Sequence, residues 1–156
     1  MRLRGEIGQR IAVQSFDLTP FVAVEYARLY TDAFAERGSV LALQAGKQTT
    51  TSLPVNVGLR MDGSVPFGNG LALRPMIEAS YLHEFRRDRD IGVDFVALAD
   101  PSFTIAGARP SQSAFVGKAG LQLPLASALV LYATGTGVLS SQQRSYAGNV
   151  GVRINF

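Results

Sequence analysis

The sequence predicts an all-β chain forming an antiparallel, up-and-down sheet of the transmembrane β-barrel type, and three observations carry that prediction. The closing stretch, residues 146–156, alternates strictly from Val150, with Val150, Val152, Ile154 and Phe156 on one side and Asn149, Gly151, Arg153 and Asn155 on the other. It finishes on an aromatic residue with no polar tail, as a membrane strand ends at its interface girdle. Hydrophobic residues make up 47% of the 156 and charged ones only 17%, below the about 25% of water-soluble domains. No run approaches the roughly 18 to 20 unbroken apolar residues of a spanning helix. Connections between apolar runs alternate between short and long, the asymmetry of barrels with tight periplasmic turns and long external loops.

A first strand is expected over residues 3–13, where Leu3, Ile7, Ile11 and Val13 alternate with Arg4, Glu6, Gly8 and Arg10 and Gln9 is the misfit. After a turn at 14–17, Leu18, Pro20, Val22, Val24, Tyr26 and Tyr30 form one face of a second strand, opposite Thr19, Ala23, Glu25 and Ala27. Residues 35–39 read as a loop, and residues 40–65 as one long strand interrupted near 47–52. In it Val55, Val57, Leu59 and Met61 point one way and Asn56, Gly58, Arg60 and Asp62 the other. Phe67-Gly68-Asn69-Gly70 is a turn in residue type, followed by a strand with Leu73, Ile77 and Tyr81 opposing Arg74, Glu78 and Glu84. The charge-rich segment 86–90 opens the longest connection. Residues 114–123 bring the chain back, 124–127 turn it, and 128–139 return before the final strand, for seven main strands in all.

If the apolar side faces lipid, the other side lines a lumen carrying Glu6, Arg10, Glu25, Arg60, Arg74, Glu78, Lys118 and Arg153. A repeated G-x-R, with Gly120-Leu121-Gln122 a variant, further predicts that Arg10, Arg60, Gln122 and Arg153 stand at one height inside it. A net charge of +3, with no Lys/Arg cluster beside an aromatic platform, argues against a nucleic-acid partner. There is no G-x-S-x-G, no metal-ligand cluster and no Gly-rich phosphate loop, so no enzyme activity, cofactor or metal is expected. His83, the one histidine, adjoins Glu84, but neighbouring strand residues face opposite sides and cannot converge on one substrate. Met1–Glu6 carries charge where a secretory signal needs an apolar run, so the membrane reading requires a signal encoded upstream.

Six motifs together resemble the C-terminal part of an autotransporter β-domain, the translocator barrel of type V secretion in Gram-negative bacteria. They are Leu18-Thr19-Pro20, Phe34-x-Glu36-x-Gly38, S-L-x-x-x-x-G-L-R over 52–60, Leu73-Arg74-Pro75 leading to Tyr81-Leu82-His83-Glu84-Phe85, Phe103-x-x-x-Gly107, and the closing G-x-R-x-x-F. The resemblance covers residues 1–156 and implies a barrel of about twelve strands, with the passenger and the N-terminal strands outside this chain. It implies an outer-membrane translocator unit that anchors in lipid and supports export of an N-terminal passenger to the cell surface. Val150, Val152, Ile154 and Phe156 resemble the signal read by the barrel-assembly machinery, which accepts a last strand by edge pairing. Two other readings are a small structural or adhesive outer-membrane barrel, and a soluble lipocalin-like barrel with its apolar side turned inward.

Overall fold

A computed structural model describes residues 1–39, 41–67, 70–97 and 102–154. Seven long strands follow one another in antiparallel order: β1 (Arg2–Gly8), β3 (Phe16–Thr31), β7 (Pro54–Gly63), β9 (Leu71–Glu84), β12 (Ser113–Ala126), β13 (Leu129–Ser140) and β14 (Arg144–Ile154). Short strands β2 (Ile11–Val13) and β6 (Gln48–Ser52) extend the pairing of β3, and β8 (Val65–Phe67) extends that of β9. Each long strand pairs with its sequence neighbours, so the sheet is an up-and-down meander with seven main strands, as the alternation predicts. Its edges are β1 and β14, which do not pair with each other among the described residues.

Three expected strands differ in detail, each for a physical reason. The first one breaks at Gln9 and Arg10, opposite Pro20 and Thr19, because Pro20 has no N–H to complete the ladder; Gln9 N donates to the Pro20 carbonyl at 3.1 Å instead. The register resumes unshifted at Ile11↔Leu18, which keeps every side chain on its face. The long strand expected over 40–65 is four elements. β5 (Leu43–Ala45) belongs to a separate sheet, and the supposed interruption is itself β6, paired with the outer end of β3 from Ala27↔Ser52 to Thr31↔Gln48. The turn expected at 124–127 falls at 127–128, since β12 runs on through a bulge between Pro124 and Ala126.

At one end of the sheet the connections at residues 14–15 and 127–128 are tight, and Gly68 and Asn69 of the turn expected between them lie outside the described residues. Residues 14–15 join β2 to β3, with Gln14 in the left-handed region at φ 54°, a conformation that primed hairpin turns demand. The opposite end carries the long connections. They fold into a second sheet of four short strands, in the order β11 (Phe103–Ile105), β10 (Ile91–Phe95), β5 and β4 (Phe34–Ala35). Val93, at 2% exposure, is its anchor, beside buried Ala42 and Ala45. Arg89 ties this sheet to the large one: its guanidinium donates to the carbonyls of Thr51, Arg86 and Asp88 at 3.1, 3.3 and 2.9 Å. Arg109 donates to both oxygens of Asp90 at 2.7 and 2.8 Å, and these bonds push its pKa further up.

The two faces of the large sheet reverse the arrangement of a water-soluble protein. Cross-strand partners Val22↔Val57 and Val57↔Tyr81 lie on the apolar face, as do Tyr81↔Phe115 and Phe115↔Leu139. That face is open: Val57 is 55% exposed, Phe115 65% and Val150 85%. On the other face Phe21, Ala23 and Glu78 are 4%, 1% and 4% exposed. An apolar surface of this extent, set against a charged and buried one, is stable only when hydrocarbon replaces water on the apolar side.

Candidate functional site

The polar face is built by parity. Register pairs Arg4↔Glu25, Glu6↔Ala23, Thr19↔Arg60, Arg60↔Glu78, Glu78↔Lys118 and Gln122↔Arg74, and so puts all these residues on one face of five adjacent strands, β1, β3, β7, β9 and β12. At its centre Glu78 accepts from Arg60 Nε at 2.9 Å and from Lys118 Nζ at 2.7 Å. Arg60 also reaches Glu6 at 3.2 Å, and Arg4 contacts the same Glu6 carboxylate at 3.2 Å. A continuous charge chain thus runs Arg4, Glu6, Arg60, Glu78, Lys118, crossing β3 without a contribution from it.

Small and aromatic residues make that crossing possible. Ala23 leaves room above β3, while Phe21 lies flat beneath the Arg60 guanidinium, 5.0 Å from its ring centroid. Phe21 in turn needs its partner Gly58, where a Cβ would come within 2.7 Å of the ring, 2.5 Å of Ser80 Cβ and 2.8 Å of the Ala79 carbonyl. The same device recurs at the far edge. A Cβ on Gly151 would meet the Tyr132 ring opposite it at 2.7 Å, and the Arg153 guanidinium lies 5.7 Å from that ring's centroid.

Toward the tight turns, Asp17 and Asp62 face each other as a cross-strand pair, an arrangement that repels unless a cation intervenes. Arg10 supplies it, with the same nitrogen 2.9 Å from each carboxylate. Arg74 joins these three around a polar cavity of about 580 Å³. Glu25 is held by Arg2 at 2.6 Å. Of the eight residues expected on the lumen side, Glu6, Arg60, Glu78 and Lys118 are joined in one network; Arg10 and Glu25 make separate pairs; Arg74 and Arg153 contact no carboxylate among the described residues. Of the G-x-R side chains, which share this face, Arg10 opposite Thr19 falls in the register row of Arg60 and Glu78, whereas Gln122 stands across from Arg74 and Arg153 across from Val130.

At the end that carries the long connections Glu84 does what its sequence position alone does not announce. Its carboxylate, 6% exposed, accepts from Leu53 N at 2.7 Å, Arg86 N at 2.9 Å and the Ser52 hydroxyl, closing the junction where β6 gives way to β7. His83 lies on the opposite face, its ring 4.7 Å from that of Phe85 and 3.3 Å from Ser113 Oγ. Phe21, Asp17 and Glu84 were not among the expected site residues; the signal for Phe21 was its place opposite Gly58 once β3 and β7 are paired in register. Of the four residues of the closing motif, Val150, Val152 and Ile154 lie on the apolar face of β14, exposed and at the edge of the sheet. Phe156 lies outside the described residues.

A meander with hydrocarbon-facing residues on one side, a charge chain on the other and two edges left unpaired among the described residues is a section of a transmembrane β-barrel. The chain belongs to the autotransporter β-domain family, whose model matches residues 1–136, and it is an outer-membrane protein of Gram-negative type. It is 31% identical over 122 residues to a protein of Pseudomonas putida described as an uncharacterized protein in the trpE-trpG intergenic region, covering 76% of this chain and 20% of that one. It is 32% identical over 111 residues to esterase EstA of Pseudomonas aeruginosa, covering 70% of this chain and 16% of the relative. The chain therefore spans about a fifth or less of the curated relatives it matches.

Proposed function

We propose that this unit is the closing section of an autotransporter translocator, which anchors the protein in the outer membrane and supports passage of an N-terminal passenger to the cell surface. One observation carries the reading: seven strands form a sheet whose apolar face is open and whose charged face is linked from β1 to β12, yet whose edges β1 and β14 each lack a second partner among the described residues. Unpaired backbone groups in hydrocarbon cost several kcal/mol each, so strands encoded upstream complete the barrel against both edges. The charged face then lines the lumen, and the tight turns lie on the periplasmic side. A small structural or adhesive barrel would instead close β1 on β14, and those strands do not pair among the described residues.

The barrel-assembly machinery takes β14 by its free edge, with Val150, Val152, Ile154 and Phe156 as the recognised side chains. Catalysis is not assigned to this unit, because His83 and Glu84 point to opposite faces and no other His is present to act as a base. The esterase named among the relatives is represented here by 16% of its length, so an esterase activity would belong to a passenger. The test is surface display of an epitope-tagged passenger from the full-length gene. Display should be lost when residues 144–156 are deleted and kept in a Phe85→Ala control; display surviving the deletion overturns the proposal.

A further inference from the structure

At the outer end of the apolar face, register aligns one row across four strands: Tyr81 on β9, Phe115 on β12, Leu139 on β13 and Arg144 on β14. The Tyr81 and Phe115 rings meet edge to face with centroids 5.3 Å apart, and Tyr81 Oη donates to Ser113 Oγ at 2.7 Å, which holds the ring in place. One row further into the membrane come Ala79, Gly117 and Gly137, closed by Tyr146, which is 74% exposed. Bulky side chains above and almost none below leave a ledge. A cleft of about 860 Å³ at the strand ends borders this ledge, lined by Tyr81, Phe115, Leu139 and Tyr146 on the apolar side and by Arg87, Gln142 and Arg144 at the rim.

Charge decides what fits. No carboxylate lines this cleft, and neither Arg87 nor Arg144 forms an ion pair among the described residues. A guanidinium on a hydrocarbon-facing side is tolerated only near the interface, at the level of lipid headgroups, and there a planar fork of donors matches a phosphate. We infer that the cleft bounded by Arg87, Arg144 and the Tyr81–Phe115 pair binds a phosphate-bearing glycolipid of the outer leaflet, with its phosphate on the two arginines and an acyl chain over Ala79, Gly117 and Gly137. The Gln142 amide and the Ser141 hydroxyl supply partners for sugar hydroxyls, while the Ser140 hydroxyl is already bonded to Gln143 and Ser111. A zwitterionic phospholipid would bring its own ammonium against the two guanidinium groups and fits less well. The inference rests on the orientation proposed above, with the long connections outside.

The test uses the full-length protein, extracted in detergent, stripped of lipid and titrated with purified rough lipopolysaccharide, phosphatidylethanolamine or inorganic phosphate, with bound species counted by native mass spectrometry. Arg87→Gln with Arg144→Gln should weaken lipopolysaccharide binding about 10- to 30-fold, from roughly one charge contribution per arginine, and leave phosphatidylethanolamine binding as it was. Gly117→Leu keeps both charges, and a Cβ there meets nothing within 4 Å, so the barrel should still form while the filled ledge weakens the glycolipid. Heat-modifiable migration of each variant confirms folding. The inference is overturned if the double variant binds lipopolysaccharide like the parent, if the parent binds phosphatidylethanolamine as tightly, if inorganic phosphate competes at matched ionic strength, or if Gly117→Leu binds unchanged. Maleimide labelling of Arg37→Cys, on a long connection and outside the cleft, from outside intact cells checks orientation separately; protection there defeats this inference while leaving the membrane barrel intact.

Discussion

Glu78 is the residue on which the charged face depends, since it is the only carboxylate between Arg60 and Lys118 and is itself 4% exposed. Replacing it by Ala leaves Lys118 without a carboxylate and Arg60 with Glu6 alone, and should cost about 2 to 3 kcal/mol of unfolding free energy in the full-length barrel. Lys118→Ala removes a half-exposed partner and should cost less, about 1 kcal/mol. Urea unfolding of refolded protein reads both; equal losses would show that Glu78 is not the hub. Arg10→Ala should cost about 1 kcal/mol by setting Asp17 against Asp62, and Asp17→Asn in the same background should recover most of it. On the other face, Val57→Arg should cost about 2 to 4 kcal/mol of folding in bilayers and Asn56→Arg, one residue away, much less. Equal losses for that pair would defeat the assignment of faces.

Among the strands, the pairing of Phe21 with Gly58 fixes how closely β3, β7 and β9 approach. Gly58→Ala should destabilise the barrel by about 1 to 3 kcal/mol, since the added methyl meets Ser80 and the Ala79 backbone as well as the ring. Phe21→Leu in that background should recover only part of the loss, because the contacts on β9 remain; full recovery would mean that the ring alone sets the spacing. The faces of these strands were legible in the sequence, because a period of two is a local property that survives any tertiary rearrangement. Val55, Val57, Leu59 and Met61 fall on the apolar face for that reason. Pairing partners were not legible. Nothing local distinguishes β6, which continues the large sheet, from β5, which leaves it for β10 through Asp94↔Gln44. The same limit applied to the site: parity put Glu6, Arg60, Glu78 and Lys118 on one side, but that Arg60 would reach across β3 to Glu6 depends on the register of three strands and on the small side chain of Ala23.

At the scale of the molecule, the five inner long strands pair on both sides, whereas β1 and β14 each have one partner among the described residues, and Ile7 at 83% and Val150 at 85% exposure mark apolar faces beside those edges. Such edges invite pairing and are not tolerated in hydrocarbon. The central claim, that this sheet is one section of a membrane barrel completed by strands encoded upstream, is tested most directly by refolding residues 1–156 alone, beside the full-length β-domain, in the same detergent. The full-length domain should give a heat-modifiable, protease-resistant species while the isolated chain stays protease-sensitive with unshifted migration. A heat-modifiable, protease-resistant barrel from residues 1–156 alone would contradict the claim.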